Sequence, residues 1–406
     1  MRLLRVQVEG APLYKDNKFN LDFYATDRVV KNEDGLVTDV HQVGQTGSIY
    51  SQNIIGLSGI NASGKTTTLN ILRFVLKYMT GYYAMRVEDF DSRRIGKLGD
   101  LLNIRVVFWE NGNYYQINSQ LSHSTKTVGE SAFGGPISTD SMSFVDETLW
   151  MLTAKRPTRS MIGSSEEFEK HAVVILRRNG DKDDPHVLTP AQKEFLNDQT
   201  SIVSKITGKK HTGVEYPERH LGGITMPTPV IRAFDASIEY LKWDSDSQVF
   251  HLKFEGENER IVSMEVAVAM LSKGTLLGAE IVDHAISMLR FGGCLIVDEI
   301  ETSLNRSLVG VILGLFASPA TNPRGAQLVF STHYPELLDL LHRKDDVYLL
   351  RRTQDYKTEV VKYSDCGVRI ENKKSEAFIN NIIKGAMPRY PDVQDMREYV
   401  LEHVNE

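Results

Sequence analysis

The sequence predicts an α/β fold with a mixed or parallel core sheet, an N-terminal antiparallel β subdomain and an α-rich insertion. Three observations carry this expectation. Residues 53–72, NIIGLSGINASGKTTTLNIL, read as a short apolar strand (Ile54, Ile55, Leu57), a glycine-rich turn from Gly59 to Gly64, and a helix opening at Lys65. Further on, the apolar runs Cys294–Val297, Gln327–Phe330 and Val347–Leu350 alternate with helical patterns. Strands alternating with helices call for parallel pairing through crossovers. Third, residues 1–30 alternate apolar and polar in places (Leu4, Val6, Val8; Phe19, Leu21, Phe23), and 104–121 flank Asn111-Gly112-Asn113, a strong hairpin turn.

The elements follow in order. Residues 31–47 are polar and Gly-containing, an exposed turn. The helix from Lys65 carries Leu69, Leu72, Phe74, Val75 and Leu76 and ends near Gly81. Residues 123–230 read as the insertion. It has a loop over 129–143, helical stretches near 144–154, 164–177 and 189–206, and a Gly/Pro-rich extended or mobile connection over 207–230. Its basic residues (Arg156, Arg159, Arg177, Arg178, Lys205, Lys209, Lys210) fit a solvated surface, with a nucleic-acid face as the alternative. A second hairpin flanks 244–247. A helix covers 276–290 and stops at Gly292-Gly293, and another covers about 304–317. The expected division is 1–122, 123–230 and 231–406, the first and last forming one unit.

Bulk properties bound the function. A chain of 406 residues allows two or three domains, or one large domain with an insertion. A net charge of −6 gives no global drive toward nucleic acid or anionic membrane. The two cysteines, Cys294 and Cys366, form no C-x-x-C or metal pattern, so a reducing compartment is expected. MRLLRVQVEG lacks a long apolar stretch, and no run of about 18 apolar residues occurs, so the expectation is a cytoplasmic chain with no membrane span.

The chemistry concentrates at four places. Gly59, Gly64, Lys65 and Thr66 satisfy G-x-x-x-x-G-K-[ST] between a strand and a helix. Glycines let successive N–H groups turn inward toward phosphate oxygens, and the helix adds the positive end of its dipole. Asn61, Ala62, Ser63, Gly64, Lys65, Thr66 and Thr67 are therefore the candidate nucleotide-binding set. Lys65 reaches the β- and γ-phosphates and Thr66 ligates Mg²⁺. The strand CLIVDE (294–299) delivers Asp298, a candidate Mg²⁺ ligand, and Glu299, a candidate base for an attacking water. The acidic pair favours ATP hydrolysis over kinase or GTPase chemistry. Leu271-Ser272-Lys273-Gly274-Thr275 precedes a helix, which is also an ordinary N-cap arrangement. Ser331-Thr332-His333 ends a core strand, where His333 is placed to sense the γ-phosphate.

GINASGKTT, LSKGT, LIVDEIETSL and STHYPELLD, in that order, resemble the ABC-type ATPase heads of the SMC, RecF and OLD families. The resemblance extends to stand-alone ATP-binding proteins of bacterial abortive-infection and antiphage operons, through FDASIEYL (234–241) and Gly385-Ala386-Met387-Pro388. It covers roughly 1–122 and 231–390. It implies a head-to-head dimer around two ATP and Mg²⁺, in which Ser272, Gly274 and Ser303 of one copy complete the site of the other. Larger rings stay open. It also implies a role in antiphage defence, with control of a separately encoded effector, a nuclease among the candidates. Lys273 stands where many relatives carry Ser or Gly. No glutamine fits the Q-loop securely, Gln116 being the candidate. Two other functions stay open: a RecF-like DNA-repair ATPase binding duplex DNA, and an ATP-bound scaffold with little turnover.

Overall fold

The computed structural model describes residues 1–31, 37–44, 48–80, 99–130, 136–207, 214–215, 226–302, 304–368, 373–380, 382–385 and 390–404. The N-terminal alternation produces β1 (Arg2–Glu9) and β2 (Lys18–Asp22), paired antiparallel. Within 31–47, expected to be turn only, lies β3 (Val40–Gln42), which pairs with β4 (Tyr50–Gln52). β5 (Ile54–Ser58) is buried along its whole length, and α1 (Lys65–Thr80) follows the glycine-rich turn. The hairpin at Asn111-Gly112 joins β6 (Leu101–Glu110) to β7 (Asn113–Glu130).

The α-rich insertion is not what the structure contains. Residues 144–154, expected to be helical, lie mostly in β8 (Pro136–Leu152), which pairs with β7 over most of its length. The boundary drawn at 122/123 falls inside β7. After two short helices, α2 (Arg159–Gly163) and α3 (Ser165–Lys170), the second half of the expected 164–177 helix is β9 (Ala172–Arg177). Only α4 (Pro190–Phe195) and α5 (Ser204–Thr207) are helical within 189–206. The antiparallel sheet thus has six strands in the order β2-β1-β6-β7-β8-β9. The physical reason is Glu147. It occupies an inward position of β8 between Phe144 and Leu149, and so hides the period-two apolar pattern. Most of the 207–230 connection lies outside the described residues. Its described parts are Thr207, β10 (Val214–Glu215) and 226–230, where Met226 bridges to Leu241 and α6 (Thr228–Phe234) begins.

A small sheet of β11 (Ile238–Asp244), β12 (Val249–Phe254) and β13 (Arg260–Val262) packs with α6, α7 (Met264–Met270) and the start of α8 (Lys273–Phe291) around Ile231, Leu241, Phe250, Leu252 and Ala279. Then come β14 (Cys294–Val297), α9 (Arg306–Ala317), β15 (Gln327–Thr332), β16 (Val347–Arg352), β17 (Thr358–Lys362), α10 (Lys374–Ile379) and α11 (Tyr390–Val404). The core sheet runs β10-β14-β15-β5-β16-β17, parallel except for β17.

Both faces of this sheet are covered, which is why its strands read as continuous apolar runs. On one face, α1 is packed among Ile55, Leu57, Ile296, Val329 and Leu350 of the core sheet and Val6, Val106, Ile117 and Leu149 of the antiparallel sheet. On the other, Leu295, Val297, Leu328 and Phe330 pack on α8, α9 and the 3-10 turn Pro335–Leu340. No helix among the described residues is long and apolar enough to cross a membrane.

Candidate nucleotide site

β14, β15, β5 and β16 are consecutive neighbours, so their C-terminal ends form one edge. Asp298 and Glu299 follow β14, His333 follows β15, the glycine-rich loop follows β5, and Arg352 ends β16. Ligands of open α/β sheets bind at this edge. A cleft of about 430 Å³ opens there, lined by Asn61 to Thr67, Glu299, His333 and Arg352.

The loop fits because two glycines remove atoms. A Cβ on Gly59 would come 2.1 Å from the Leu350 carbonyl oxygen. At Gly64 (φ +100°) it would meet Thr358 Oγ1 at 2.7 Å. Thr358 in turn donates its hydroxyl hydrogen to the Ser63 carbonyl at 2.9 Å. Ala62 adopts a left-handed φ of 58°, which curls the loop backbone between Gly59 and Gly64.

Lys65 is buried, and each of its three ammonium hydrogens has an acceptor: Gly59 O at 2.8 Å, Ile60 O at 3.1 Å and His333 Nδ1 at 3.4 Å. Burial holds its pKa below the ordinary lysine value, against the opposing pull of Asp298, Glu299 and Glu301. An ammonium can only donate, so Nδ1 is the acceptor in this contact. Nε2 lies 3.3 Å from Glu299 Oε1. Lys65, His333 and Glu299 thus stand in one line of close polar contacts. Glu299 has a φ of 50°, unusual for a residue with a side chain, and is fixed from behind. Its N–H donates to Ser331 Oγ at 2.8 Å, and its carboxylate accepts from Thr302 Oγ1 at 3.3 Å. Ser331, fully buried, also donates to Asp298 Oδ1.

Asp298 Oδ2 accepts the Thr66 hydroxyl at 2.7 Å. These two hard oxygen donors, adjacent to the loop, are of the type Mg²⁺ takes. Among the described residues no cluster of three or more His, Cys, Asp or Glu side chains could hold a metal, so a cation here depends on Thr66 and Asp298.

Several expected residues lie elsewhere. Ser272 caps α8, accepting from Thr275 N at 3.0 Å, and neither it nor Gly274 lines the cleft. Ser303 and Ala386–Pro388 lie outside the described residues. Gln116, the Q-loop candidate, is buried in the antiparallel sheet. It accepts from Arg105 Nε at 2.8 Å and donates to Ser165 and Glu169, and it is not a cleft residue.

Three residues were given no role from the sequence. Ser331 holds both acids. Glu301 accepts the His333 backbone N–H at 2.6 Å and so anchors the segment after β15. Arg352 lines the cleft. The signal for Arg352 was present, since Arg351-Arg352 closes a core strand at the ligand-binding edge.

No protein-family model matches the chain, and no curated protein does. Among solved structures, the SMC head domain from Thermotoga maritima is similar to this chain, with 10% identity and a TM-score of 0.38 over 89% of this chain and 99% of that one.

Proposed function

We propose that this chain binds ATP with Mg²⁺ and hydrolyses it to ADP and phosphate. The observation that carries the reading is the Lys65–His333–Glu299 line beside a glycine-rich loop, with Thr66 and Asp298 in contact next to it. Backbone N–H groups of the loop and the Lys65 ammonium take the phosphates. An incoming phosphate replaces the carbonyl partners of Lys65 and offsets the burial that depresses its pKa. Thr66 and Asp298 would hold Mg²⁺, which would supply charge neutralisation for the phosphate oxygens. Glu299 accepts a proton from water as the water oxygen attacks the terminal phosphorus and the bond to ADP breaks. His333, whose Nε2 stands 3.3 Å from that carboxylate, orients it.

The finer parts of the proposal are a dimer, a regulated partner and a biological setting. Ser272, Gly274 and Ser303 of a second copy complete each site. What supports this is that neither Ser272 nor Gly274 lines the cleft of its own chain. Residues 123–230 provide the surface that recognises a separately encoded effector, in antiphage defence. The support is the order of motifs and their resemblance to such operon-encoded ATPases.

The experiment is ATP binding and turnover by two variants. Lys65→Ala loses ATP affinity by about 100-fold or more, since charged hydrogen bonds contribute about 1.5–3 kcal/mol each. Glu299→Gln binds ATP as the parent does and turns it over about 10²–10⁴-fold more slowly. Turnover of Glu299→Gln at the parental rate removes Glu299 as the base. Absence of ATP binding by the parent removes the reading altogether.

A further inference from the structure

The cleft contains a second cation, and its partners are unlike those of its neighbours. Arg352 ends β16, which runs parallel to β5 with Tyr348 opposite Leu57 and Leu349 opposite Ser58. The start of the glycine-rich loop lies against Leu350, one residue before the Arg351-Arg352 pair. Arg351 is neutralised, its Nε 2.7 Å from Glu359 Oε2. Arg352 is not. Its contacts are with neutral oxygens and both use Nη1, which donates to Tyr356 O at 2.8 Å and Thr358 Oγ1 at 3.3 Å. Among the described residues no carboxylate pairs with it, and Nε and Nη2 make no hydrogen bond.

Those contacts also fix where the charge stands. Thr358, which receives Arg352 Nη1, donates to Ser63 O in the loop and abuts Gly64. The guanidinium is thereby tied through one hydroxyl to the backbone that cradles phosphate. The turn Thr353–Lys357, with Tyr356 at φ 59°, is closed by Thr353 N to Lys357 O at 2.9 Å. That closure presents the Tyr356 carbonyl to Arg352. A guanidinium offers five donors in a planar fork that matches two phosphate oxygens at once.

We propose that Arg352 is a phosphate-binding residue of this site, holding the nucleotide's polyphosphate from the β16 side through its free Nε and Nη2 donors. The inference rests on the nucleotide reading above and adds a second cation to it. Lys65 and the loop hold the phosphates along β5, and Arg352 adds a bidentate hold from the neighbouring strand. The ligand class it selects is a nucleoside polyphosphate, recognised through phosphate and not through the base.

Calorimetric titration of the full chain with ATP and, separately, with inorganic tripolyphosphate tests this. The parent binds both. Arg352→Ala weakens both by the same factor, roughly 10- to 100-fold. Arg352→Gln keeps an amide N–H donor on the same strand end but carries no charge, and it shows the same loss. If Arg352 only braced the turn, Arg352→Gln would restore binding, and that result overturns the proposal. Unchanged tripolyphosphate affinity in Arg352→Gln overturns it as well, as does a loss confined to ATP. The Gln variant decides the matter even if Arg352→Ala fails to fold. A parent that binds neither ligand removes the nucleotide reading and this one together. A parent that binds both, with variants that bind equally well, removes only this one.

Discussion

At the scale of single residues, burial sets the chemistry. Lys65 is kept inside the protein with its charge answered by two carbonyls and an imidazole, an arrangement suited to exchanging those partners for an anion. His41 shows the same force without a ligand. Burial, and then the nearby Arg2, push its pKa from 6.5 down to about 4. The ring abuts Gly325, where an added Cβ would come 2.7 Å from its Cγ, so little room exists for hydration of an imidazolium. The sign follows directly. Between pH 4 and 6.5 the unfolded chain holds a proton on His41 that the folded chain lacks, so stability rises with pH across that window. The parent should therefore lose stability on going from pH 7 to 4.5 by about 1–2 kcal/mol more than His41→Gln, allowing for solvent screening of a partly exposed ring. Parallel denaturation curves at both pH values check this, and equal losses would remove His41 from the account.

At the scale of elements, one buried ion pair decides where a strand runs. Glu147 on β8 is 1% exposed, and Arg178, just past β9, lies 2.6 Å away. Burial raises the Glu147 pKa despite Arg178, Ser201 and the Ile202 N–H. Arg178 also donates to the carbonyls of Leu196, Asn197 and Thr200. The pair thus anchors the connection between α4 and α5 to the antiparallel sheet. Arg178→Ala would strand a buried carboxylate, and a loss of about 3–5 kcal/mol is expected in chemical denaturation. Glu147→Gln paired with Arg178→Met should recover part of that loss. A loss below about 1 kcal/mol for Arg178→Ala would show that the pair is not what holds the connection. The same residues explain why the sequence misled at 144–154. Helix or strand there hinges on whether Glu147 faces inward, and its partner is 31 residues away.

At the scale of the whole molecule, half the proposed composite site stands apart from its cleft. The first turn of α8 displays Ser272 and Lys273 to solvent. In the proposed dimer this turn meets the γ-phosphate bound by the other copy. Glu299→Gln with ATP should sediment as a dimer, and without ATP as a monomer. Adding Gly274→Glu places a carboxylate in the first helical turn, where the helix dipole tolerates it but a facing phosphate does not. ATP-dependent dimers should then disappear while α8 and the fold persist. Dimers that survive Gly274→Glu would sink the composite site, and sedimentation velocity reads the result.

The sequence by itself determined the sheet edge that carries the candidate nucleotide site. An apolar strand, a loop that only glycines can close and a following helix are local features, and so are the acids after Cys294–Val297 and the histidine after Gln327–Phe330. Each follows from short-range chemistry, since a strand buried on both faces is apolar throughout and its polar end marks the sheet edge. Tertiary structure decided what short range cannot. It put β16 beside β5 and so brought Arg352 to the cleft, and it set Ser331 behind Asp298 and Glu299. It also turned a region expected to be helical into an extension of the antiparallel sheet, because a buried Glu147 is tolerable only where Arg178 arrives to meet it. Strand order and long-range ion pairs are properties of packing, and no window of sequence contains them.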